Sequence, residues 1–173
     1  SELHAHGVDA GAWLGIHPRV YRCPGVAGGR LRLHLERDPL RILQMGNYFD
    51  TCLSFGGGNA FSTVANACEL NKRVMYATDG AGQVVGRKLV GLTAEDRLLG
   101  FHTYSSVSGE EAAAALHAIF RRYATDFATR CGLALVDEGT VPRLFAEAWY
   151  DDGAVAWTDE SAVVSRQSSA AGH

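Results

Sequence analysis

Leu31-Arg32-Leu33-His34-Leu35-Glu36 alternates apolar and polar residues, and a period of two puts the three leucines on one face of a half-buried strand. Asp38-Pro39 then reads as a helix start. The carboxylate can accept from the free amides of a first turn, and proline loses nothing where its amide would have no partner. This helix runs through Leu40, Ile42, Leu43 and Met45 and stops near Gly46-Asn47. Residues 48–58 hold too much glycine to keep regular structure cheaply. Asn59 is placed to cap a second helix whose apolar positions Phe61, Val64, Ala65 and Cys68 fall at helical spacing.

Residues 73–78, 83–92 and 98–104 read as three strands joined by the turns Asp79-Gly80-Ala81-Gly82 and Thr93-Ala94-Glu95-Asp96, an antiparallel meander. Ser108-Gly109-Glu110-Glu111 has the form of a capping box. After it, Leu116, Ile119, Phe120, Tyr123 and Phe127 share one face of a long helix over 109–131, which Gly132 is placed to end. Residues 133–136 predict a short buried strand, 141–149 a helix with Pro142 in its first turn, and 154–158 a last strand. Residues 1–30 show no sustained period and read as an irregular lead-in with one short strand, and 159–173 as a C-terminal tail, small and polar from Ser165 to His173. The expectation is one α+β domain over 31–158, with a mostly antiparallel central sheet flanked by helices.

With 173 residues, 47% hydrophobic and 20% charged, the chain has material for one core. A net charge of −3 and arginines scattered singly or in pairs disfavour a nucleic-acid partner. No apolar run approaches the roughly 20 residues that span a bilayer, and no export signal opens the chain. No membrane partner and a cytoplasmic location are therefore expected. Cys23, Cys52, Cys68 and Cys131 lack paired spacing and are expected as reduced thiols. Ser1 in place of Met fits a processed end, a tag remnant or excision from a larger chain.

In order, the elements are strand, two helices, three antiparallel strands, long helix, strand, helix, strand. That order over 31–158 resembles the GNAT family of acyl-CoA-dependent N-acyltransferases. The hairpin Thr78-Asp79-Gly80-Ala81-Gly82-Gln83-Val84-Val85-Gly86 is similar to the family's central hairpin, and residues 120–136 to its long helix and following strand. The resemblance implies acetyl-CoA or another acyl-CoA as cofactor and an amine on a small molecule or protein as acceptor. The pyrophosphate would meet the backbone of Val107, Ser108, Gly109 and Glu110 at the start of the long helix. In place of the family's Q/R-x-x-G-x-G/A, this chain has Thr103-Tyr104-Ser105-Ser106-Val107-Ser108-Gly109-Glu110-Glu111. One glycine and two acids there oppose phosphate binding.

Acyl transfer needs a base, and His102 in the third meander strand is the candidate, since imidazole titrates near neutrality. A histidine on the solvent face of a sheet or satisfied in the core has the same pattern. Tyr150 follows as the proton donor that the resemblance implies, although Trp149-Tyr150 also reads as aromatic packing. A different chemistry centres on Cys52, just before Gly56-Gly57-Gly58 and a helix N-terminus. There it could serve as a nucleophile with His102 as base and Asp50, Asp79 or Asp96 as orienter. A buried, inert cysteine is the alternative. His4 and His6 have no third ligand at metal spacing, and no metal is expected. A third class is a non-catalytic binding module of a larger protein, for which an exposed apolar patch is the expected sign.

Overall fold

The computed structural model describes residues 2–151, 153–159, 161 and 163–165. Two short helices, α1 (Glu2–Ala5) and α2 (Ala10–Gly15), precede strands β1 (Arg19–Arg22) and β2 (Arg30–Leu35). Helices α3 (Pro39–Leu43) and α4 (Ser62–Cys68) follow, then the meander β3 (Lys72–Thr78), β4 (Val84–Leu92) and β5 (Leu98–Ser105). The long helix α5 (Glu110–Cys131) leads to β6 (Leu135–Val136) and finally β7 (Val163–Ser165).

Strands β1 to β5 lie side by side in chain order, each antiparallel to the next. Both β6 and β7 run parallel to β5, with Leu98 opposite Leu135 and Thr103 opposite Val163. The sheet is thus mixed, which corrects the expectation of a mostly antiparallel one. The cause is α5, a crossover that carries the chain back along the sheet so that the next strand runs in the direction of β5.

One face of the sheet packs on α5. Leu31, Leu33 and Leu35 of β2 meet Met75, Ala77 and Val90 beneath Leu116, Ile119, Phe120, Tyr123 and Phe127, all buried as the helical period requires. Full burial of each such aliphatic or phenyl side chain contributes about 1.5–3 kcal/mol. Gly132 ends α5 at φ 77, its amide reaching Ala128 O and Thr129 O. Asp38 caps α3 as expected, accepting from the Leu40 amide at 2.9 Å.

Residues 2–30 are more ordered than the lack of a period implied. Asp9 caps α2 through the Ala12 amide, and Trp13, fully buried, stacks 5.2 Å from Phe127, with Leu3 and Val8 in the same core. Elements of four to six residues are too short to show a period, so only the core contact reveals them.

The other face of the sheet carries α3, α4 and the loop between them. That loop turns back on itself so tightly that a Cβ on Gly46 would lie 2.1 Å from the Leu53 carbonyl carbon. Residues 141–149 also cover this face, and they are not the helix their sequence predicts. Their backbone is bound by side chains instead. Glu69 Oε1 accepts from the amides of Leu144, Phe145 and Ala146, while Pro142 O accepts from Asn71 Nδ2 and Lys72 Nζ. Residues 154–158 likewise form no strand. Within them the Val155 amide donates to Gly100 O and Trp157 is buried. The last strand is β7, inside the expected tail 159–173, and the rest of the expected polar end, residues 166–173, lies outside the described residues.

Candidate functional site

The β5–α5 junction is where the sequence places a cofactor. Ser105 Oγ already accepts from the Val107 amide at 2.9 Å, and the Val107 side chain is buried. Ser108 is exposed, and the capping box predicted there is not what starts α5. The helix begins after Gly109, at φ 94, with no side-chain capping bond. A positive φ at that point moves the start one residue beyond Ser108. Glu110 and Glu111 occupy the first turn, both exposed, and place negative charge where a phosphate would have to sit.

The outer edge of β5 beside this junction is occupied along its length. The strand β6 pairs with Leu98 and Leu99, the Val155 amide with Gly100 O, and β7 with Thr103 to Ser105. The same C-terminal segment roofs a buried lysine. Lys88 Nζ, with no exposed surface, donates to Phe101 O at 2.8 Å and Thr103 Oγ1 at 3.3 Å and sits 4.8 Å from the centre of the Trp157 indole. Burial pushes its ammonium down to about 8. His117, also buried, hydrogen-bonds through Nε2 to Trp157 O at 3.1 Å.

His102 is half-buried on β5. The Asp159 carboxyl is held below its ordinary value first by the Ser161 hydroxyl and amide and then by His117 and His102. Tyr150 is 40% exposed on the opposite sheet face, its amide donating to Ser62 Oγ at 2.5 Å. Cys52 is exposed in the loop before α4, its carbonyl accepting from the Asn59 amide at 3.0 Å. Among the described residues no histidine hydrogen-bonds to Cys52. Of its proposed orienters, Asp96 pairs with His6 at 3.0 Å, and Asp79 Oδ1 accepts from the amides of Ala81 and Gln83. Cys52 and Tyr150 therefore flank α4, whereas His102 belongs to β5 and the C-terminal segment. All four cysteines are free thiols, Cys23 and Cys131 buried, Cys52 and Cys68 exposed. Among the described residues no group of His, Cys, Asp and Glu could hold a metal ion, and no helix is long and apolar enough to cross a membrane.

The helix α4 corrects the sequence in a different way. Its period is as expected, but of the four apolar positions Ala65 alone is buried, while Phe61, Val64 and Cys68 face outward, with Phe61 48% and Val64 54% exposed. Ser62, Thr63 and Asn66 face inward, and each is satisfied there. Ser62 Oγ takes the Tyr150 amide, Thr63 Oγ1 donates to Ala60 O at 2.8 Å, and Asn66 Oδ1 accepts from Trp149 Nε1 at 2.9 Å. Beside it runs a clasp in which Glu69 and Lys72 pair, both side chains fully buried, with Lys72 Nζ 4.4 Å from the Trp149 ring centre. Burial alone would raise the Glu69 carboxyl, but Lys72 and the amides of Ala146 and Phe145 outweigh it and hold it at about 2.

A concave opening of about 450 Å³ lies between the α3–α4 loop and the β3–β4 turn, lined by Arg41, Tyr48, Asp79, Gln83, Val84 and Ser106. Arg87 is fully buried on β4, 4.2 Å from the Tyr104 ring centre and 5.9 Å from that of Phe49. Two adjacent cations inside the apolar run Val84-Val85-Gly86-Arg87-Lys88-Leu89-Val90 were the available sign in the sequence that charge enters this core. No protein-family model, no curated protein and no solved structure matches this chain.

Proposed function

We propose that this chain is a non-catalytic binding module that docks a protein partner through the apolar outer face of α4. The observation that carries the reading is the inverted helix, which buries three polar side chains in made hydrogen bonds and turns Phe61 and Val64 to solvent. The clasped segment also exposes apolar side chains, Phe145 by 65%, Leu144 by 40% and Tyr150 by 40%. Apolar side chains held outward by a built polar interior support an interaction site. A photo-reactive residue at position 64 is expected to give one discrete adduct in extract of the source organism, while the same residue at 121, on the outer face of α5, gives none. Equal labelling from both positions, or none from 64, refutes the reading.

A second reading, acyl-CoA-dependent N-acyl transfer, is favoured by one observation. A parallel strand follows the long helix directly after a meander, the order that resembles GNAT enzymes. His102 and Tyr150 would be its base and acid, and the amides of Val107 to Glu110 its phosphate contacts. Against it stand the filled edge of β5, the Val107 amide already bound by Ser105, and the two acids of the first turn. Calorimetry with acetyl-CoA separates the two readings: the docking module gives no heat, and binding that Glu110→Gln and Glu111→Gln strengthen would restore the transferase.

A further inference from the structure

We propose that the open edge of β1, with Arg22, Arg30 and Arg32, is a docking surface for an extended acidic peptide segment of a partner protein. The arginines come from two strands. Arg22 stands opposite Arg30, and Val20 opposite Arg32. Alternation puts these four side chains on the face away from Leu31 and Leu33, hence away from α5. All are exposed, Val20 by 61%.

Nothing within the described residues neutralises the three arginines. Their neighbours are paired, Arg19 with Asp126 at 3.4 Å and Arg41 with Glu36 at 3.2 Å, but no carboxylate lies within ion-pair distance of Arg22, Arg30 or Arg32. The carboxylate next in chain to Thr78, which stands opposite Arg32, is Asp79, and its Oδ1 is engaged by two turn amides. Like charges placed directly opposite across an antiparallel pair destabilise it. In a chain of net charge −3, three uncompensated cations on one hairpin face are a local exception that carboxylates from outside would offset.

The backbone indicates an extended peptide. The strand β1 is terminal in the sheet, so one of its edges is open. The Cys23 amide donates to Gly29 O at 3.0 Å, which sets the phase of the ladder: Arg19 and Tyr21 bond inward, and Val20 and Arg22 turn their N–H and C=O groups outward. The Arg22–Arg30 pair is then of the non-hydrogen-bonded kind, in which side chains stand closest. A strand added at this edge would present alternate side chains to Val20 and Arg22, carboxylates to the guanidinium groups and an apolar group to the valine. A nucleic acid would use the arginines but not the edge, and Tyr21, the aromatic residue of β1, is on the other face beneath Arg122.

Fluorescence anisotropy with a labelled peptide of alternating glutamate and valine tests this, beside the glutamine-for-glutamate peptide and a labelled oligothymidylate. The acidic peptide is expected to bind, the glutamine peptide not to. Arg22→Ser/Arg30→Ser should weaken binding at least about tenfold, and Arg22→Lys/Arg30→Lys should retain most of it. Val20→Pro, which removes an outward amide and no ladder bond, should weaken it as well. Since the serine variant relieves repulsion, its Tm should equal or exceed that of the parent, so lost binding cannot be put down to lost fold. Failure of the acidic peptide to bind, equal binding by the serine variant, or tighter binding of oligothymidylate that is insensitive to Val20→Pro would overturn the proposal.

Discussion

Glu69→Ala is expected to destabilise the fold by about 3–5 kcal/mol, the range for removing one partner of a buried ion pair. The structure says which loss dominates. Three amides, of Leu144 at 3.1 Å, Phe145 at 3.0 Å and Ala146 at 2.7 Å, lose their acceptor, but their residues are at or near the surface and water can replace the carboxylate. Lys72 has no such recourse. Its side chain has no exposed surface and keeps only Asn71 Oδ1 and Pro142 O, each at 3.1 Å, and the face of Trp149. The cost is therefore mainly that of an uncompensated buried ammonium, and Lys72→Met added to Glu69→Ala should recover much of it. Urea unfolding followed by tryptophan fluorescence measures the change, and trypsin cleavage after Arg143 reports release of the clasped segment. The pH dependence has a definite sign. A carboxyl at about 2 in the fold and near 4.3 unfolded contributes stability that is complete above the unfolded value and is lost as the pH falls toward 2, so Glu69→Gln should flatten the acid limb. A loss under about 1 kcal/mol together with unchanged cleavage at Arg143 would refute this account.

Phe120→Ala should cost about 3–5 kcal/mol in urea unfolding, because its fully buried ring lies between α5 and the sheet. Lys88, held at about 8, should make stability rise between about pH 8 and the ordinary lysine range near 10.4, where the unfolded chain alone holds the proton; Lys88→Met should abolish that rise, as urea midpoints at the two ends would show. Cys52 and Cys68 should react with a maleimide in the native protein, and Cys23 and Cys131 only on unfolding, since burial pushes the Cys131 thiol up to about 12; early labelling of Cys131, read by peptide mass, would contradict the packing. Phe61→Ser should change Tm little while removing the adduct formed from position 64, because the Phe61 side chain is 48% exposed.

Elements whose signal is local are legible in the residues alone. The alternation at 31–36 and the buried face of α5 follow from periods of two and 3.6, the meander from its two turns, and the ends of α3 and α5 from Asp38 and Gly132. Residue type also marks His102 and Cys52 as chemical candidates, and the resemblance in element order adds Tyr150 and the Val107–Glu110 backbone. What a period cannot encode came from contacts between distant residues. Periodicity shows that α4 is two-faced but not which face meets the sheet, and hydrogen bonds from Trp149 and Tyr150, more than eighty residues on, turned its polar side inward. The helical pattern at 141–149 lost to Glu69 and Lys72, which satisfy that backbone from outside, and Arg22 met Arg30 only because β1 and β2 pair. Local propensity amounts to tenths of a kcal/mol per residue. A buried ion pair or an unsatisfied buried amide is worth more than that, so where the two conflicted the distant partner prevailed.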